Sequence, residues 1–511
     1  MRTETLALFL AALSLCGCTR PRTAPTRGRP VAQGKAKGLL ASPGGTRLAW
    51  LERCARSPLP QAPPTCDLLV APTEGGPAVR VAGGVSSLEG GYAFGPEGTL
   101  AALADVDAAS GTGTLVVDRP GLAPERVAPA VSFFGFGPKG ELGFVSAGEL
   151  HLAGPGGSPA RVEGAGSVAT FEFDPSDPSE LLARRPAAAG GELVRVSGRV
   201  GRVQSRAAAG EYAWSPDGRF VAATVRGPGG TWDLALWAAS GEKPPATLAR
   251  DVQAFSFSRD GSALAFLAGM APGKPGDLYA APLEGVREPG RVRPERVASG
   301  VGEFRWSSGA ARLAWLESFD SRVRAGTLGV GGPGARAATF GKNVTAFDLS
   351  PTAAPVAFLE HVTAGGYSVD LRLAPSGAEP VVTVARGVFG FEFAPDGRWL
   401  YYRTNCLRNA EACDLFRIPA AGLAAGEAPE RVAEGVKSFE FDRAIPDRLL
   451  LGFARKDLAA LDLAVWQGAR LVPVDEVVSP GSARFLPPDG RRIAYVVVAP
   501  DRPGVYVAPL P

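Results

Sequence analysis

The chain has 511 residues, 45% of them hydrophobic and 21% charged, with 54 Lys and Arg against 51 Asp and Glu. A net charge of +3 over that length excludes a broad basic face for nucleic acid, and the apolar content is ample for a core. The 66 Gly and 46 Pro are turn residues rather than a mark of disorder, because they recur between regular apolar runs.

The first element is a leader. Met1 to Cys18 (MRTETLALFLAALSLCGC) has a positive start and an apolar run from Leu6 to Leu15, too short to remain as a membrane span. Leu15-Cys-Gly-Cys18 resembles a bacterial lipobox, in which the cysteine after a small residue is acylated and becomes the new N-terminus. Gly17 makes Cys18 the lipidation candidate, whereas Cys16 follows the bulky Leu15. An ordinary signal peptide cleaved nearby is the alternative. Acylation by more than one chain anchors a protein firmly. Thr19 to Gly28 (TRPRTAPTRG) then reads as a flexible tether, residues 19–28. By resemblance to other lipoproteins, Thr rather than Asp at position 19 implies the outer membrane.

From Leu39 onward one phrase recurs. The clearest copies are YAWSPDGRFVAATV (from Tyr212), FSFSRDGSALAFLAG (from Phe255) and FEFAPDGRWLYY (from Phe391). Weaker copies begin at Leu39, Tyr92, Phe133, Phe171, Phe304, Phe347, Phe439 and Arg484, which makes eleven. Their spacing centres near about 44 residues, the period of one four-stranded propeller blade. Alternating apolar residues (Phe255-Ser-Phe257) predict a first strand, and Ser-Pro-Asp-Gly supplies turn chemistry. A second strand follows (Leu264-Ala-Phe266). A third strand starts Asp-Leu, as at Asp67, Asp233, Asp277, Asp370, Asp414 and Asp462. A fourth reads Arg-Val-Ala, as at Arg126, Arg296 and Arg431. Four strands per period without helical periodicity predict an all-β propeller fold.

Eleven blades exceed the usual four to eight, so two tandem rings of about six and five are expected, at residues 29–287 and 288–511, the alternatives being a degenerate sixth blade in the second ring or a single large ring. The Pro- and Arg-rich link Glu284 to Glu295 marks the boundary. Leu48-Ala-Trp-Leu-Glu52 recurs six copies later as Leu313-Ala-Trp-Leu-Glu317. The last copy lacks a fourth strand, while Arg29 to Gly34 is an orphan one. A terminal strand of this kind closes a ring and removes its open edge.

Four cysteines remain. Cys54 and Cys66 bracket the loop between second and third strands of the first copy, and Cys406 and Cys413 bracket the same loop in the ninth. Hairpin geometry, an exported chain and an even count predict two local disulfides. Neither pair has CxxC spacing or a nearby His, so no metal and no cofactor is expected. His151 alternates with Leu150 and Leu152 in a strand, and His361 ends a second strand. No nucleophile elbow occurs. The turn residues Asp217, Asp260, Asp396 and Asp489 read as caps rather than as catalytic carboxylates. Trp50, Trp214, Trp306, Trp315 and Trp399 read as packing residues, with Trp232, Trp237 and Trp466 at third-strand ends.

The pattern F-x-F-S-P-D-G-x-x-L-A-F, then D-L-Y-x-A-P and R-V-A, resembles the WD40-like propeller repeat of the TolB family and covers nearly the whole mature chain. This chain lacks the N-terminal α/β domain of that family. The resemblance implies the fold and an envelope setting. The expected function is a non-enzymatic, membrane-anchored scaffold of the cell envelope, lipidated at Cys18, that binds a protein or peptide partner and no nucleic acid. Alternatives are a small-ligand or glycan-binding propeller, or a hydrolase acting at a channel mouth. That last reading requires acidic residues from several blades at one depth.

Overall fold

The computed structural model describes residues 25–510 except for short loop segments (58, 60, 89, 188–189, 199–207, 228–229, 240–244, 270–273, 310, 336, 353, 363–367, 376–379, 408–411, 423–427 and 456–457). Among the described residues every regular element is a strand apart from one 3-10 turn, Pro289–Arg291. No helix there is long and apolar enough to cross a membrane. Cys18 and residues 19–24 lie outside the described residues.

Each repeat folds as an antiparallel sheet in sequence order. In the first, Lys37–Ala41, Arg47–Ala55, Thr65–Pro72 and Val79–Ser86 pair one after another. In places two sheets run together, because one long strand serves both. Glu125–Phe136 is the fourth strand of repeat two and the first of repeat three, and Glu430–Phe441 does the same for repeats nine and ten.

The turn motif has a physical explanation at each position. The serine that opens the turn is buried in five copies (Ser42, Ser215, Ser258, Ser307 and Ser350), and in three of them it precedes proline. The hydroxyls of Ser42, Ser215 and Ser258 accept the backbone N–H five residues on, at 3.1, 2.9 and 2.9 Å for Arg47, Phe220 and Ala263. A buried N–H beyond the end of the ladder is thereby satisfied. The aspartate accepts the N–H two residues on, as Asp217 does from Arg219 and Asp260 from Ser262.

Neighbouring repeats bury their faces against each other all along the chain. Trp315 and Leu313 of repeat seven pack with Ala265 and Leu278 of repeat six, and Phe358 of repeat eight packs with Leu316 of repeat seven. The last repeat packs against the first. Leu48, Trp50 and Leu69 share one cluster with Ala494, Val496, Val505 and Val507. At that seam Gly45 has φ +64°, and a Cβ there would lie 1.8 Å from the carbonyl oxygen of Pro487. Only glycine permits this approach.

The ends pair as the missing fourth strand requires. Arg29–Gln33 lies antiparallel on Gly504–Pro509 and completes the eleventh sheet. The link between repeats six and seven pairs as follows. Glu295–Val301, expected to open a second ring, is the fourth strand of repeat six on Gly276–Pro282. A division at 287/288 therefore cuts through a sheet, and the apolar cluster joining repeats six and seven spans it. A strand pairs with the edge nearest in space, and the link from Glu284 to Glu295 returns directly to its own sheet. Of the segment read as a tether, residues 25–28 are described. Thr26 donates its N–H to the carbonyl oxygen of Pro473 at 3.2 Å, and the Gly28 N–H donates to the Tyr495 hydroxyl at 2.7 Å.

Cys54 is bonded to Cys66 and Cys406 to Cys413. Each closes a hairpin loop and removes loop entropy from the unfolded chain, a stabilisation of roughly 2–3 kcal/mol apiece. Replacing either pair by serine is expected to lower the urea midpoint of the oxidised protein. A midpoint equal to wild type would show that the bridges add nothing.

Candidate functional site

When the repeats are superposed, the residue between the two aromatic positions of the first strand forms a series. In repeats seven to eleven that series is Arg305, Asp348, Glu392, Glu440 and Arg484. Each sits in the same register of its hairpin, opposite Ala314, Ala357, Tyr401, Leu450 and Ala494 respectively. Arg305, Glu392 and Glu440 are exposed and Asp348 and Arg484 half-buried, while flanking residues such as Phe347, Leu349 and Phe393 are buried. Period-2 geometry turns the flanking residues into the core and leaves the middle position facing outward. In repeats one to six the same position holds Leu40, Ala93, Gly135, Glu172, Ala213 and Ser256, so the charge is concentrated in one half.

First strands of successive repeats are neighbours in space. The Trp306 indole N–H donates to the carbonyl oxygen of Ser256 at 3.0 Å, and the Arg305 guanidinium lies 5.7 Å above the Phe347 ring. Tyr92 likewise donates its hydroxyl to the carbonyl oxygen of Gly38. The row thus reads cation, three carboxylates, cation along adjacent strands.

Burial pushes the Asp348, Glu392 and Glu440 carboxyls above their ordinary range. Asp348 pushes Glu392 up further, while Arg305 pulls Asp348 back down and Arg484 pulls Glu440 back down. Walls on several sides displace water even where the carboxylate itself meets solvent, which disfavours the charged form. For an acid with a raised folded pKa the unfolded chain holds fewer protons, so this contribution favours folding at low pH. It is lost as pH rises through the folded pKa. Glu392→Gln is therefore expected to raise the melting temperature at about pH 7 and to have no effect near about pH 3.5, where the acid is protonated in both states. Melting curves of both proteins across that range check it, and a gap that shrinks as pH rises would contradict it.

A concavity of about 720 Å³ lies between repeats nine and ten on the outer strands. It is bordered by Leu407 and Ala412 of the second disulfide loop, by Phe453, Leu463, Leu471 and Pro473, and by Pro25 of the N-terminal segment. Among the described residues Asp414, Glu434, Asp462, Asp475 and Glu476 line it together with Arg431. Asp475 is held by Arg502 and Tyr495, and Asp462 by Arg455.

The other residues singled out in the sequence have structural surroundings. Asp217, Asp260, Asp396 and Asp489 all cap their turns. The His151 ring stacks on Phe144 at 5.0 Å, and its pKa is lowered by burial. His361 is half-buried, and its N–H donates to the carbonyl oxygen of Asn343. Trp50, Trp214, Trp315 and Trp466 are buried. Trp399 and Trp466 sandwich the Arg417 guanidinium at 4.0 and 4.4 Å. No group of three or more His, Cys, Asp or Glu among the described residues is arranged to hold a metal ion. The charged row escaped sequence reading because each member looks like an ordinary polar strand residue. Its signal was available by comparing the middle position of F-x-F across the copies.

No protein family and no curated protein matches the chain. Among solved structures the chain is similar to a eukaryotic initiation factor (TM-score 0.42, 14% identity, 71% of this chain and 93% of that one). It is also similar to an oligogalacturonate lyase in complex with manganese (TM-score 0.32, 13% identity, 67% and 98%). A third is TolB from Acinetobacter baumannii (TM-score 0.26, 17% identity, 50% and 64%). At these values no activity and no residue role passes from them to this chain.

Proposed function

We propose that the eleven repeats close as one β-propeller ring, carried outside the cytoplasm on a lipid at Cys18, and that the chain is a non-enzymatic interaction module. Its partner is a protein segment bearing lysine or arginine, received by Asp348, Glu392 and Glu440. The observation that carries this reading is the charged row. Five successive first strands place ionisable side chains at one register, where a fold built for stability alone would be indifferent to sign. Arg305 and Arg484 at the two ends limit the acidic stretch and favour a short basic segment over a broad cationic surface. The pairing of the first and last strands supports closure of the ring, and the two disulfides support an oxidising compartment.

The same row favours a second reading. Carboxylates from three repeats at one depth are what a glycan-binding or hydrolytic channel would also need, and their raised pKa values suit proton donation.

The test is a pull-down from detergent-solubilised envelopes with three proteins: wild type, Cys18→Ala, and Asp348→Asn/Glu392→Gln/Glu440→Gln. Wild type is expected to retain an envelope protein that the triple variant loses, and Cys18→Ala is expected to leave the membrane fraction. Retention of the same partner by the triple variant would remove the row from the interaction. A glycan retained or cleaved by wild type alone would establish the second reading instead.

A further inference from the structure

Beside the charged row one side chain has no part in the packing. Phe389 is 56% exposed, and among the described residues it is the one aromatic ring in the set of large, exposed apolar side chains. It precedes the strand Gly390–Phe393, at the place where other first strands carry a bulged residue such as Gln253, Thr345 or Lys437. A bulge aims its side chain out of the ladder. Repeats five and seven hold Gly210 and Gly302 there, so the fold itself requires no ring.

A second departure from the repeat touches the first. In repeats six to eight the second-strand residue opposite this end is a buried leucine, at Leu267, Leu316 and Leu359. In repeat nine it is Arg403, opposite Gly390. Gly390 leaves room for it, since a Cβ there would lie 3.7 Å from Arg403 Nη2. The guanidinium donates to the carbonyl oxygen of Lys437 at 3.0 Å and lies 5.2 Å from the centre of the Phe389 ring. Giving up a core leucine and exposing an aromatic ring gains nothing for the fold. Such departures are expected where a surface is used.

The pair adjoins the carboxylates. Gly390 and Glu392 share one face of their strand, and their partners Arg403 and Tyr401 share it opposite them. The ring on Arg403 therefore stands at the face that bears Glu392, about 10 Å along the strand. Lys437 lies three residues before Glu440 on the same strand of repeat ten. Through that carbonyl Arg403 bridges the strands of Glu392 and Glu440.

We infer that Phe389, held in place by Arg403, is the apolar part of the binding row, and that the bound segment carries a large apolar residue within two positions of its lysine or arginine. This rests on the reading above that Asp348, Glu392 and Glu440 receive a basic segment. In an extended segment, residues two apart lie about 7 Å from each other on one face, and the length of a lysine or arginine side chain covers the rest. The exposed Lys437 repels a cation on its own side, so the charge of the segment falls towards Glu392 and Asp348.

Affinity selection from a random heptapeptide phage library on the full-length protein tests this, with Phe389→Ala and Arg403→Leu alongside. Wild type is expected to select Lys or Arg together with a large apolar residue within two positions. Phe389→Ala is expected to keep the basic preference, lose the apolar one, and bind the best wild-type peptide at least about fivefold more weakly, as truncating an aromatic anchor does. Arg403→Leu restores the residue type of repeats six to eight, so it keeps the fold. It is expected to blunt the apolar preference and leave the basic one intact, because the ring loses the cation that holds it. Basic residues selected by wild type without an apolar neighbour overturn the inference and leave the row standing. An apolar preference that persists in Phe389→Ala overturns it as well. A wild-type selection without basic residues removes the row and this inference together.

Discussion

Produced separately, residues 25–287 and 288–511 are expected to be insoluble or poorly folded, and to recover a cooperative structure only when produced together. Cutting at that point removes Glu295–Val301 from Gly276–Pro282 and leaves Gly504–Pro509 without Arg29–Gln33. Each fragment would then end on a bare strand edge, a template for aggregation. The cut also opens two apolar faces, one between Ala265 and Trp315 and the other between Trp50 and Val496. A buried tryptophan alone contributes about 3–5 kcal/mol, and two such faces exceed the net stability of an ordinary domain. Size-exclusion chromatography and thermal melts of the fragments, alone and mixed, measure this. Two soluble monomers with separate sharp melts would sink the single ring and restore the six-and-five division.

Asp442→Ala is expected to destabilise the protein by about 3–5 kcal/mol, the cost of stranding a buried charge. Arg448 donates its Nε–H to Asp442 Oδ2 at 2.7 Å and a second N–H to the same oxygen, and both side chains are 1% exposed. The same guanidinium donates to the carbonyl oxygen of Gly490 and lies 5.2 Å above the Phe485 ring, which joins repeat ten to repeat eleven. Removing the carboxylate leaves the cation without water and without its counter-charge. Removing both charges with Asp442→Leu/Arg448→Met is expected to recover much of the loss, because a well-packed apolar pair replaces a buried ion pair at little cost. Urea midpoints of the two variants decide the matter. A single variant within about 1 kcal/mol of wild type would mean that water reaches the guanidinium and the pair is not a buried one.

Much of this architecture was legible because it is written in local patterns. Phe391-Glu-Phe393 declares its strand by alternation. Ser258 to Gly261 declares its turn through a hydroxyl, a carboxylate and a glycine that act within five residues. The cysteine pairs flank single hairpins, so sequence proximity was spatial proximity. A count of strands marked Arg29–Gln33 as an orphan fourth strand, but its pairing with the last repeat was not legible, since the expected first ring ended at residue 287. The charged row was legible in principle and overlooked, since no single repeat reveals it.

Local pattern determined the all-β character, the repeat, the hairpins and the disulfides, because strand alternation and turn chemistry are short-range properties of the chain. The tertiary structure alone decided which edge each terminal strand completes, that repeats six and seven share a core, and that charges on five successive repeats, from Arg305 to Arg484, come to neighbouring positions. Those outcomes depend on how identical-looking faces stack, and every Phe-x-Phe strand offers nearly the same face to its neighbours. Periodicity therefore counts the repeats but does not say which face meets which; the last sheet packs on the first.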